Sequence, residues 1–156
     1  MDRKQMEQYI DVYSQFVQSI NTSIEAIQKN IFKDSLVTPD QFNILNEINV
    51  RGICTSSMLA KETNVKKSTI TATINRLVEK GVVNRIPDEQ DRRIIILQLT
   101  EKGQQILIEG RARIFDALMP LRNSLTMEEF ENLNTSLSSI AAQLKQLQKG
   151  LNQDEE

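Results

Sequence analysis

A chain of 156 residues, 39% hydrophobic and 26% charged, has the length of one compact domain with room for extended helical arms. It carries one cysteine and no histidine, which excludes an internal disulfide framework and removes the commonest general base and metal ligand. The formal net charge of −2 argues against a polyanion partner only until its distribution is read: Lys61 to Arg93 holds eight basic against five acidic residues, a local +3 in an otherwise acidic chain.

No stretch approaches the run of about 20 apolar residues that spans a bilayer. The opening residues, Met1 to Gln8, lack the apolar heart of a signal peptide. A cytoplasmic protein without a membrane partner is expected.

The first predicted helix covers about Gln5 to Asn30. Ile10, Tyr13, Val17, Ile20, Ile24 and Ile27 step by three and four, and no glycine or proline interrupts them. One such helix cannot hide its apolar stripe alone; the partner comes from within the chain or from a second copy. Phe32 to Val37 reads as a connector. Thr38-Pro39-Asp40 is a helix start, with a cap, a proline in the first turn and an acid beside the positive end of the dipole. Phe42, Leu45 and Ile48 supply its buried side as far as about Asn49. Arg51-Gly52 makes a turn, and Ile53-Cys54 can give a short strand. Burial beside Ile53 makes Cys54 a structural residue and not a reactive thiol, which needs exposure and a lowered pKa.

Two short helices joined by a tight turn come next. Thr55 or Ser56 caps the first. Met58, Leu59 and Thr63 recur at helical spacing, and Ala60 is small where a partner helix must come close. Asn64 falls where the turn needs a residue that tolerates left-handed backbone. In the second helix Ile70, Ile74, Leu77 and Val78 form one apolar stripe. The opposite face carries Lys67, Ser68, Thr69, Thr71, Ala72, Asn75 and Arg76, with no acid between Glu62 and Glu79. Ordinary solvated faces interleave Glu with Lys. Hydroxyls, an amide and cations without acids can reach base edges and phosphates. Gly81 ends this helix.

Val82-Val83 and Ile94 to Leu99 are rich in β-branched and aliphatic residues, and Pro87 to Asp91 is turn chemistry, so a β-hairpin is predicted. Arg92 and Arg93 sit at or just past its tip. An arginine there can enter a narrow minor groove, and Asp91 can hold it by a charge-assisted hydrogen bond. Taken alone, that pair reads as a surface ion pair of little energetic weight.

Thr100 caps a helix running toward Pro120, with Ile106, Ile108, Ile114, Phe115 and Leu118 as candidates for burial. Pro120 ends or kinks it. Thr126 and Glu129 form a capping box for a last helix that reaches about Lys149, striped by Phe130, Leu133, Leu137, Ile140, Leu144 and Leu147.

Gly81-Val-Val-Asn-Arg85, Asp88-Glu-Gln-Asp-Arg-Arg93 and Leu97-Gln-Leu-Thr-Glu-Lys-Gly103 closely resemble the wing of MarR-type transcriptional regulators. The Asp91-x-Arg93 element followed by Leu99-Thr100 is the most specific part. The resemblance implies a mainly α (α+β) fold, a winged helix-turn-helix with long N- and C-terminal dimerisation helices. The expected segments are a dimerisation helix over 1–34, a DNA-binding region over 35–100, further dimerisation helices over 101–150 and an acidic tail over 151–156. It also implies a dimeric cytoplasmic regulator, usually a repressor, on a pseudo-palindromic double-stranded operator, and often released by a small aromatic or lipophilic effector. Lys66, Lys67, Ser68, Thr69, Thr71, Asn75 and Arg76 would contact the major groove or its phosphates. Arg93, steadied by Asp91, would enter the minor groove, with Arg92 on phosphate. The chain departs from the pattern at Lys66, where relatives often carry a capping residue, and in having mostly Ser and Thr where many have another arginine. It also lacks a cysteine near the start of the first helix, where some relatives sense oxidants.

Nucleotide loops, nucleophile elbows, Cys-x-x-Cys pairs and zinc helices are absent from the sequence, so neither an enzyme nor a cofactor is expected. The alternative is a winged-helix module for protein docking or dimerisation, whose exposed face should favour aromatics and aliphatics.

Overall fold

Capping chemistry starts the first helix, and no breaker stops it for 29 residues. In the computed structural model, which describes residues 2–63 and 65–153, α1 spans Arg3–Ile31 and opens on an Asp2/Gln5 capping box. The expectations for Asn64 and for the tail residues Asp154, Glu155 and Glu156 lie outside the described residues. α2 (Pro39–Arg51) begins as the Thr38-Pro39-Asp40 signal requires, with Thr38 and Gln41 capping each other. α3 (Ser56–Thr63) is capped by Thr55, whose Oγ1 accepts the Met58 N–H. α4 covers Lys67–Glu79. The wing pairs β1 (Val83–Pro87) antiparallel with β2 (Ile95–Leu99), Val83 opposite Leu99 and Arg85 opposite Leu97. α5 (Glu101–Leu118), a 3-10 turn (Met119–Asn123) around Pro120 and α6 (Met127–Gln153) complete the described chain. Residues 151–153 of the expected tail are thus helical.

The chain divides into two units, residues 1–116 and 117–156. The core of the first gathers Phe42, Leu45 and Ile48 of α2, Leu59 of α3, Ile70, Ile74 and Leu77 of α4, Val83, Leu97 and Leu99 of the wing and Leu107 of α5. Phe32 and Val37, in the segment expected only to connect, are buried there too, and the Phe32 ring lies 4.7 Å from that of Phe42.

Three expectations are corrected, two of burial and one of a strand. Met58 is exposed, because Leu59 and Ala60 take the inward side of α3. Ile108 and Phe115 are each 63% exposed. They share the side of α5 opposite Gly103, Leu107 and Gly110, the residues that set its buried face. Ile53-Cys54 forms no strand. Gly52, at φ 69°, turns the chain sharply and the Ile53 N–H bonds back to the Arg51 carbonyl. Among the described residues one ladder-like bond remains, from the Leu97 N–H to the Cys54 carbonyl at 2.8 Å.

α4 ends in a Schellman arrangement. The Gly81 N–H bonds to the Val78 carbonyl and the Val82 N–H to the Leu77 carbonyl, with Gly81 at φ 68°. Thr100 then caps α5 through the Gly103 N–H while its own hydroxyl donates to the Gly81 carbonyl.

In the second unit, Thr126 and Glu129 form the expected box, and the hydrogen bonds from the Thr126 N–H and hydroxyl hold the Glu129 carboxyl below its usual range. A depressed acid contributes above the ordinary carboxylate range, and that contribution fades as pH falls through the lowered value.

Gly103 and Gly110 permit close packing. A Cβ at Gly103 would overlap the Val82 carbonyl, and one at Gly110 would overlap the Phe42 ring. Gly150, also helical, meets nothing within 4 Å. Gly103→Ala is expected to lower the unfolding free energy by about 1–3 kcal/mol. Gly150→Ala should be neutral or stabilising by up to about 1 kcal/mol. Urea titrations of the two variants check the contrast.

Candidate nucleic-acid interface

Period-3.6 patterning turns Ile70, Ile74 and Leu77 of α4 inward and leaves Lys67, Ser68, Thr69, Thr71, Ala72, Asn75 and Arg76 exposed. Lys66 precedes the helix as its N-cap residue, and its side chain makes no cap bond. Among the described residues no side chain accepts from the first-turn N–H groups, which lie next to two cations. The exposed residues differ in what they offer. Thr71 Oγ1 donates to the Lys67 carbonyl at 2.9 Å, which commits its hydrogen and leaves lone pairs and a methyl. Thr69 lies on the flank toward α2. With Thr73 and Ile70 it borders a cleft of about 350 Å³ shared with Asp40, Asn43 and Ile44.

The wing loop is built by two aspartates. Asp88 accepts the Gln90 and Asp91 N–H groups at 2.9 Å each, and its own N–H reaches the Ile94 carbonyl. Asp91 accepts the backbone N–H of Arg93 at 3.0 Å. This corrects the expected contact: the carboxylate grips the Arg93 main chain and not its guanidinium, because the two-residue spacing makes a local Asx-type turn. Arg92 and Arg93 are exposed, and neither has an ion-pair partner among the described residues.

One contact was not anticipated. The Arg85 guanidinium donates through Nη2 to Asn75 Oδ1, joining β1 to the exposed face of α4. Alternation along β1 puts Arg85 on the same face as buried Val83, the side that turns toward the core and α4. Counting by two from Val83 was the available signal.

Cys54 is fully buried. Burial pushes its thiol pKa up, Arg51 draws it down and Glu47 raises it further. The balance is a protonated, shielded thiol, as expected. A second cleft of about 360 Å³ lies between Phe32 and Leu36 of the connector and Ile106 and Gly110 of α5, rimmed by Asp34, Lys102, Glu109 and Arg113. Among the described residues no helix is long and apolar enough to cross a membrane, and no group of three or more acidic or cysteine side chains could hold a metal ion.

This helix-turn-helix and wing coincide with a match to the model of the MarR family over residues 37–95, from the end of the connector into β2. Over those residues the chain matches that family. The Bacillus subtilis HTH-type transcriptional regulator YdgG is 28% identical over 134 residues, covering 83% of this chain and 88% of that protein. MdtR, an HTH-type transcriptional repressor of the same organism, is 26% identical over 137 residues, covering 81% and 88%. A mutant E. coli MarR crystallised with operator DNA superposes with a TM-score of 0.71 at 25% identity, covering 85% of this chain and 95% of that one. The relatives that the chain resembles are transcriptional regulators, and one of the solved neighbours was crystallised with operator DNA.

A thiol-reactive dye should label native Cys54 on the order of a hundredfold more slowly than the urea-unfolded chain, since labelling then waits on opening of the fold. Fast native labelling accompanied by loss of DNA binding would reverse the structural assignment.

Proposed function

We propose that this MarR-type regulator acts in the cytoplasm as a homodimeric repressor of a pseudo-palindromic operator and is released by a small aromatic or lipophilic effector. The observation that carries the reading is the acid-free face of α4 together with two exposed wing arginines, Arg92 and Arg93, that have no ion-pair partner among the described residues. Lys66 and Lys67, at the positive end of α4, suit phosphate. Ser68, Thr69, Thr71, Asn75 and Arg76 suit the major groove or its rim. Arg93 suits a narrow minor groove and Arg92 the phosphate beside it, while Asp91 shapes the loop that presents them.

Two unpartnered helix faces support the dimer. α1 buries no residue and exposes Met6, Tyr9, Ile10, Tyr13, Phe16, Ile20 and Ile24. α6 exposes Leu133, Leu137, Ile140, Leu144 and Leu147. Cover from a second copy removes this surface from water, and two-fold symmetry would set the recognition helices about one DNA turn, roughly 34 Å, apart. The relative named as a repressor supports repression. The cleft between the connector and α5 suits the effector, with apolar walls and a charged rim. An effector acts there only by binding DNA-competent and incompetent arrangements unequally. The docking-module alternative fits less well, because α4 exposes no large apolar side chain.

Selection from a random DNA pool should return a two-fold symmetric site. Arg93→Ala should weaken binding to it by about tenfold and reduce the salt slope by about one. Binding indifferent to salt and to this substitution would favour the docking module. Sedimentation should give twice the 17.9 kDa chain mass. Ile20→Asp should yield monomers that no longer retain the operator. A native chain that sediments as a monomer at micromolar concentration sinks the dimer.

A further inference from the structure

We infer that Arg85 is a positioning residue that sets base specificity, by making Asn75 a hydrogen-bond donor that favours guanine over adenine at one position of each operator half-site. The inference rests on the proposed groove-reading role of α4.

A guanidinium has only donors. Asn75 can therefore meet Arg85 Nη2 only with its amide oxygen, and the contact fixes which way the amide points. Oδ1 is committed to a cation, and Nδ2 is left with two N–H groups. Both residues are exposed, so the bond forms on the surface of α4. An asparagine that recognises adenine needs both ends of its amide: Oδ1 accepts from N6 while Nδ2 donates to N7. With one lone pair of Oδ1 taken by Arg85, adenine N6 can reach only the second, beside a guanidinium whose positive charge repels the N6–H donor, and the held amide is not free to turn toward N6 and N7 together. Guanine presents N7 and O6, both acceptors, and suits the remaining donors.

The two elements meet through the fold. Asn75 lies one turn before the end of α4, and the Schellman turn at Gly81 returns the chain so that β1 carries Arg85 back along the helix. No acid lies between Glu62 and Glu79 on α4 to compete for the guanidinium.

The test is base-by-base selection of bound DNA from a random pool, with the native protein and its Arg85→Ala, Arg85→Lys and Asn75→Ala variants. The native protein should select guanine at a symmetric pair of positions by about tenfold over adenine. Asn75→Ala should flatten the preference there and leave other positions alone. Arg85→Ala should move the same position toward adenine, because the released amide can use both ends. Arg85→Lys, still a donor to Oδ1, should retain part of the guanine preference. Thermal melts of the variants separate this shift from loss of fold. If Arg85→Ala lowers affinity evenly with an unchanged base profile, Arg85 only touches phosphate and the inference fails. It fails equally if Asn75→Ala changes no position. In both cases the groove-reading role of the protein stands. A native protein that selects no symmetric site refutes that role itself, a separate result.

Discussion

The peptide units at Gly81 and Val82 are where three functional elements are joined. The Val82 N–H closes the end of α4 on the Leu77 carbonyl, and the Val82 carbonyl accepts the Thr100 N–H at the base of β2. The Gly81 carbonyl accepts the Thr100 hydroxyl, which also caps α5. Lys102 Nζ reaches the Lys80 carbonyl from the first turn of α5. Gly103 lies so close to Val82 that no side chain fits between them. α4, the wing and α5 therefore leave one junction in fixed directions. A wing attached by flexible residues would lose more conformational entropy on settling beside DNA, and each newly fixed residue costs about 1–2 kcal/mol.

Lys80 extends the junction to α2. Its ammonium donates to Gln41 Oε1 at 2.7 Å and to the Leu36 carbonyl at 2.8 Å. Gln41 is the buried polar residue of the core, and it also accepts the Thr38 N–H that begins α2. Arg51 spans Glu47 and Glu62, at 3.1 and 3.6 Å, and so links α2 to α3. The winged helix-turn-helix region is thus held by a small apolar core and a few polar ties. α1 and α6 are the reverse, since their stripes are exposed. A side chain such as Ile or Leu gains about 1.5–3 kcal/mol on full burial, so several along each helix supply a large driving force for association.

Much of this was legible in the residues because local chemistry and periodicity agreed. The Thr38-Pro39-Asp40 start, the Gly81 stop, the Thr126/Glu129 box and the stripe Ile70-Ile74-Leu77 are each specified within one or two turns of chain. The misjudged side of α5 involves partners distant in sequence, whereas Ile53-Cys54 and the Asp91 contact are decided by local turns. Ile108 and Phe115 look as apolar as Leu107, and only the close approach of Gly103 to Val82 and of Gly110 to Phe42 decides which side of α5 turns inward. Ile53-Cys54 looked long enough for a strand, but the turn at Gly52 left only one backbone bond to the wing. The site divided the same way. Exposure of the α4 face followed from period alone, whereas the Arg85–Asn75 bond required knowing how β1 folds back on α4. The Asp91 contact was legible as a pair, but its target was the backbone, because the short spacing favours the main chain over a long side chain.

In the proposed dimer, the same junction restricts how the proposed effector could influence DNA binding. Ile106 and Gly110 line the cleft beside α5, and Gly103 on that helix meets the Val82 carbonyl without slack. Close-packed interiors transmit displacement instead of absorbing it. A ligand wedged against α5 must either leave that helix where it is, and then shift nothing, or carry the base of the wing and the end of α4 with it. In a symmetric pair of chains, a small rotation at each junction changes the separation of two α4 helices that must fit grooves one helical turn apart. The distance requirement of the duplex, more than the size of the local movement, then turns a sub-ångström shift into a difference in affinity. A ligand that binds the DNA-competent and incompetent spacings equally well alters neither population, however tightly it binds.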